Sequence, residues 1–182
     1  MGREIRKVPP HWEHPRQVCP NEPWRGGCNQ AKRSDGMCYI PMFDKDFETA
    51  TREWKQGFLA WENGTHEDLK RHPEYRSKYE YWQWDGDPPD ADSYRPKFDQ
   101  KPTWFQVYET VSEGTPVTPP FATKEELIDY LVQYGDFWDQ YDGGSGWSIK
   151  NATLFVEREW APLLSVVRSD DGIEIKSPRD GA

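Results

Sequence analysis

Residues Trp104 to Tyr134 read WFQVYETVSEGTPVTPPFATKEELIDYLVQY, and this stretch decides the fold. From Phe105 to Val111 the residues are aromatic or β-branched. Phe105, Val107, Glu109 and Val111 alternate with Gln106, Tyr108 and Thr110, a period of two that specifies a strand. The following SEGTPVTPPF carries one glycine and three prolines, which cannot continue a ladder. Thr123 and Glu126 then stand at capping-box spacing, each able to satisfy a free backbone N–H at a helix start. Leu127, Ile128, Leu131 and Tyr134 fall on one face of that helix, and Gly135 supplies a left-handed cap.

Working outward, the nearest element of comparable strength lies upstream. Phe43, Phe47, Ala50, Trp54, Phe58 and Trp61 recur at steps of three and four, one stripe of a helix over 46–63. Asp46 is its N-cap and Gly64 its end; Gly57 inside it implies close packing. Downstream, Ser148 caps a helix over 149–160 with Ala152, Phe155, Val156 and Trp160 facing inward. Asp171-Gly172 then marks a hairpin between 163–167 and 173–175. The fold class expected is α+β: a small, mostly antiparallel sheet with the 104–112 strand at its centre and three helices packed on it.

Aliphatic residues are scarce in the 182-residue chain. Only 35% of residues are hydrophobic, while ten Trp, nine Tyr and eight Phe make up 15%. An aromatic-rich core follows, since each buried ring removes roughly 150–250 Å² from water. The net charge is −9, which opposes binding to duplex nucleic acid. No apolar run reaches the roughly 18 residues of a membrane span, and MGREIRKVPP lacks the apolar core of a signal peptide. The sequons at Asn63 and Asn151 read as a helix end and a helix start.

Residues 1–42 read as an irregular, proline-rich segment, with REIRKV as a short edge strand, ahead of a single domain over 43–177. All three cysteines lie in this segment. With His11 and His14, Cys19, Cys28 and Cys38 form a zinc alternative, but the spacing lacks a Cys-x2-Cys knuckle. Free thiols are the preferred reading over zinc or a Cys19–Cys28 disulfide, and no cofactor is expected.

Residues 65–103 open with a short helix stopped by Pro73. Tyr79/Tyr81 and Trp82/Trp84 then alternate as a strand would. Asp85, Asp87, Asp90 and Asp92 follow around Gly86 and two prolines, without the closing glutamate of a calcium loop. They read as a solvated acidic turn. With Trp82 and Trp84, these four aspartates form the best candidate contact surface for a protein partner. GDFWDQYDGGSGW, at 135–147, reads as an acidic glycine-rich loop and no phosphate cradle, because it lacks a lysine.

REIRKVPPHWEHP, PMFDKDFETATREWKQGFLAWENG, YWQWDGDPPDADSYRP, FQVYETVSEGTPVTPPFATKEELIDYL and REWAP together resemble a family of small accessory proteins encoded by tailed bacteriophages and prophages. The cysteine-bearing 19–38 is atypical of it. The resemblance brings no settled activity and so no catalytic residue; it implies an accessory role in the cytoplasm of a bacterial host. The expected function is binding of a host or phage macromolecule, as in inhibition of an antiviral defence system. A basic nucleic-acid-handling protein suits the acidic charge. The alternatives are single-stranded nucleic-acid binding by stacked aromatics, which needs cations that Asp85–Asp92 oppose, and a carboxylate- or metal-dependent hydrolase, for which no acid pair is singled out.

Overall fold

The structure, a computed structural model, describes residues 2–18, 35–110, 114–162, 165–169 and 172–176. In order, the chain forms β1 (Arg3–Val8), β2 (Arg16–Val18), β3 (Met37–Tyr39) and β4 (Phe43–Asp46), then α1 (Phe47–Glu62) and α2 (Glu67–Arg71). A 3-10 turn at Pro73–Ser77 leads to α3 (Tyr81–Trp84), and another at Ala91–Ser93 leads to β5 (Tyr94–Arg95). β6 (Trp104–Glu109), β7 (Thr115–Pro116), α4 (Lys124–Tyr134), α5 (Phe137–Tyr141) and α6 (Ile149–Arg158) follow. β8 (Trp160–Ala161), β9 (Ser165–Ser169) and β10 (Gly172–Lys176) come last. The class is α+β, with an aromatic-rich interior.

The chain divides into two compact units, Met1–Pro41 with Phe98–Ala182, and Met42–Lys97. Residues 43–177, which the sequence reads as one domain, span all of the second unit except Met42 and most of the C-terminal part of the first. Residues 1–42 are less irregular than their prolines suggest, since they supply β1, β2 and β3.

In the first unit a four-stranded sheet runs in the order β7-β6-β1-β8, with every pairing antiparallel. The central place of the Trp104 strand agrees with the sequence, although β6 stops at Glu109 and residues 111–113 lie outside the described chain. REIRKV is a correction: β1 is an interior strand, pairing with β6 on one side and β8 on the other. Its arginines hide this, because Arg3 and Arg6 are buried and partnered where a sequence reading expects solvent. On β6, Gln106, Val107, Tyr108 and Glu109 are all buried, so both faces of the strand are covered. Val107 lies in the core with Leu127 and Leu131 of α4 and Ala152, Phe155 and Val156 of α6.

Thr123 Oγ1 accepts from Glu126 N at 3.1 Å, and Gly135 closes α4 at φ 69°. Tyr134, expected inside, is 47% exposed. α6 is capped by Ser148 as expected but ends two residues early, because Glu159 turns left-handed at φ 58°. Trp160 therefore joins β8 and is 54% exposed, not inward. Asn151, in the first turn of α6, is itself buried, so that sequon is part of the packing. GDFWDQYDGGSGW is also corrected. Asp136 accepts from the backbone N–H of Trp138 and Asp139, Asp139 accepts from Asp136 N, and this reciprocal cap starts α5. β9 and β10 form the expected antiparallel hairpin.

The second unit holds the stripe helix. Asp46 caps α1 by accepting from Thr49 N at 2.9 Å, and Ala50 and Trp61 are buried. Phe43 and Phe47, counted on the stripe, are exposed instead. Trp61, Leu69 and Tyr81 form this unit's core, with Trp54, Phe58 and Tyr75 against it. Helix α1 thus buries its apolar face within the second unit. A Cβ on Gly57 would overlap Tyr81 Oη, so the glycine lets the ring approach the helix.

Candidate functional site

The predicted contact segment lies in the second unit. Tyr81 to Trp84 form one turn of helix, where the sequence suggested strand-like alternation. The reason is local: Glu80 and Gln83 make a reciprocal capping box, and Tyr81 points inward while Trp82 does not. Tyr81 Oη donates to Asp85 Oδ2 at 2.7 Å. Burial and that carboxylate push the Tyr81 phenol pKa well up.

Around this turn the side chains differ sharply. Trp84 is 39% exposed, stacks on Trp61 with centroids 6.0 Å apart, and donates its indole N–H to Asp68 at 3.1 Å. Tyr75 and Tyr79 lie 4.9 and 5.9 Å from the Trp84 ring. Trp82 is 44% exposed and Tyr79 41% exposed. Asp85, Asp87, Asp90 and Asp92 are all exposed. Asp90 Oδ1 accepts from Asp92 N, and the Gly86 carbonyl accepts from Trp54 Nε1, so the acidic turn is tied to its scaffold. The structure therefore gathers the six predicted residues on one short segment but divides their roles. Trp84 is partly a packing residue, Asp85 is held by Tyr81, and Trp82, Asp87, Asp90 and Asp92 face solvent.

Of the zinc alternative, three residues are described. His14 is buried, His11 is exposed with its ring 4.6 Å from Trp104, and Cys38 is buried. Cys19 and Cys28 lie outside the described residues. Among those described, no group of three or more potential metal ligands occurs.

A site that sequence reading misses lies in the first unit. A cavity of about 700 Å³ is lined by residues from the segment after β1, from β3, from β6 and its proline loop, and from α4 and α5. Such a volume suits a small ligand. Trp12, Tyr39, Tyr130, Phe137 and Pro119 supply flat apolar walls, while His14, Gln106 and Thr118 are its buried polar residues. His14 Nε2 lies 2.7 Å from the Ile40 carbonyl and Nδ1 lies 3.2 Å from Tyr108 Oη. Tyr108 Oη in turn donates to Gln106 Oε1 at 3.0 Å, and Gln106 Nε2 donates to the Thr118 carbonyl at 2.8 Å. The His14 pKa is lowered to about 4: burial drives it down, the Ile40 carbonyl opposes, and the Arg6 charge adds to the lowering. The imidazole is neutral at pH 7. The lining residues come from chain positions up to 128 apart, so no local pattern could announce them.

Among the described residues no helix is long and apolar enough to cross a membrane. Comparison with protein-family models, with curated proteins and with solved structures finds no match.

Proposed function

We propose that this is a phage-encoded accessory protein of the bacterial cytoplasm that binds a basic host or phage protein through the Tyr79–Asp92 face, and that this binding inhibits an antiviral defence system. The observation carrying the proposal is the exposure of Tyr79 and Trp82 beside an all-acidic loop. Between Tyr79 and Asp92 the sequence has five acids and no cation. Exposed tryptophan and tyrosine on a packed support are favoured interface anchors, because little side-chain freedom remains to be lost. Uncompensated acids beside them raise the local concentration of a cationic partner and speed encounter.

The test begins with capture from infected cells and identification of the bound protein by mass spectrometry. Purified partner is then titrated in a biosensor against two variants. Asp87→Lys with Asp90→Lys should slow association, with the deficit shrinking as salt rises. Trp82→Ala should speed dissociation by an amount equal to about 2 kcal/mol. Trp82 is the cleaner probe, since Trp84→Ala would also remove the Trp61 stack. Unchanged rates in both variants across a salt series would refute the proposal.

A further inference from the structure

The cavity in the first unit has a proton count that defines what it accepts. Nε2 of His14 faces the Ile40 carbonyl and must carry the ring's hydrogen, which leaves Nδ1 a bare acceptor in the neutral imidazole. Gln106 is oriented just as firmly. Its Nε2 donates to the Thr118 carbonyl, so Oε1 is the atom turned to Tyr108. His14 Nδ1 and Gln106 Oε1 are therefore two acceptors that meet one phenolic hydroxyl, and that hydroxyl has one proton. Protonating His14 would supply the second proton, but burial and the neighbouring Arg6 oppose this at neutral pH. Among the described residues one of these two acceptors can thus take a donor from outside the network, while the buried Trp12 Nε1 on the same lining has no acceptor there.

We propose that the cavity binds a flat nitrogen heterocycle bearing an exocyclic amine, the chemistry of adenine or cytosine, with its N–H donated to the His14–Gln106 acceptor pair and its ring against the aromatic and proline walls. Both acceptor residues line the cavity, as do Trp12, Tyr39, Tyr130 and Phe137. Aromatic faces take a flat ring by stacking, whatever its sequence context. A proline-rich peptide would also suit such walls, but it brings few N–H donors and leaves the acceptor unserved. A long polyanion is disfavoured by the net charge of −9, so the base arrives as a nucleoside or short nucleotide. This inference is independent of the Tyr79–Asp92 face, which belongs to the other unit.

Calorimetric titration of the full chain with adenosine and with cytidine tests it, each against the riboside of the same ring lacking the amine, and against a proline-rich peptide. At least one of the two nucleosides should bind saturably, and its counterpart lacking the amine should bind about tenfold or more weakly. Tyr39→Ala, at a half-buried wall position, should keep the melting temperature and lose tenfold or more in affinity. His14→Gln keeps an N–H for Ile40 while removing the Nδ1 acceptor, and should erase the preference for the amine. No saturation by either nucleoside at about 1 mM, equal binding of the rings lacking the amine, unchanged affinity in folded Tyr39→Ala, or tighter binding of the peptide would each overturn the proposal.

Discussion

His14 shows how one residue couples burial to pH. Its pKa falls from 6.5 to about 4 on folding, so the unfolded chain takes up a proton that the native chain resists. The stability from keeping this ring neutral is complete above about pH 6.5. It is lost as pH falls toward 4, a change of about 3 kcal/mol from this group alone. Urea midpoints measured between pH 7 and pH 4.5 should fall accordingly, and the fall should be shallower in His14→Gln. Gly57 makes a second residue-scale point. Alanine in place of glycine in a helix normally gains about 1 kcal/mol. Here the new Cβ would lie 2.8 Å from Tyr81 Cζ and overlap the hydroxyl, so Gly57→Ala should instead cost about 1–3 kcal/mol. In a Tyr81→Phe background the cost should shrink, which a double-mutant cycle on urea midpoints would measure. The sequence marks Gly57 as a packing position but cannot name the ring it makes room for.

Among the elements, those with both a period and a cap were legible: α1, α4 and α6 start within a residue of their Asp46, Thr123 and Ser148 caps. Elements whose buried residues are charged were not. β1 read as a short edge strand ahead of the prolines and α5 as part of an acidic, glycine-rich loop, and neither reading placed Arg3, Arg6, Asp136 or Asp139 in the interior. Yet Arg3 Nε meets Asp136 Oδ2 at 2.5 Å with both side chains buried, and Trp147 Nε1 donates to Asp139 Oδ2 at 2.6 Å. The Asp136-x2-Asp139 spacing was a usable helix-start signal that the glycines downstream obscured. Arg3→Met should cost about 3 kcal/mol or more, because it strands the Asp136 carboxylate in the interior. Asp136→Asn in addition should recover part of that loss by removing the charge, and thermal melts of the single and double variants would show it. The cavity was illegible for a different reason: its walls come from elements and loops far apart in the chain, brought together only by the sheet and helix packing.

At the scale of the whole molecule, Met42–Lys97 is an insertion between β3 and β6 of the first unit, with its own core of Trp61, Leu69 and Tyr81. Every strand pairing in the four-stranded sheet is made within the first unit. Replacing Met42–Lys97 by a flexible linker of about ten residues should therefore leave a chain that still unfolds cooperatively, as circular dichroism melts would report. Loss of all cooperative unfolding would show that the insertion is required. The interior position of β1 also governs how the protein is born. Its first backbone partner to emerge, Thr103, lies 95 residues downstream of Val8. At roughly 5–20 residues per second of translation, the nascent strand waits several seconds with both edges open, while the insertion emerges and can collapse on its own. A bare apolar strand would be a template for aggregation in that interval. Arg3, Glu4, Arg6 and Lys7 act as gatekeepers during the wait, so the charges that disguise β1 as an edge also protect it until the ribosome delivers its mate.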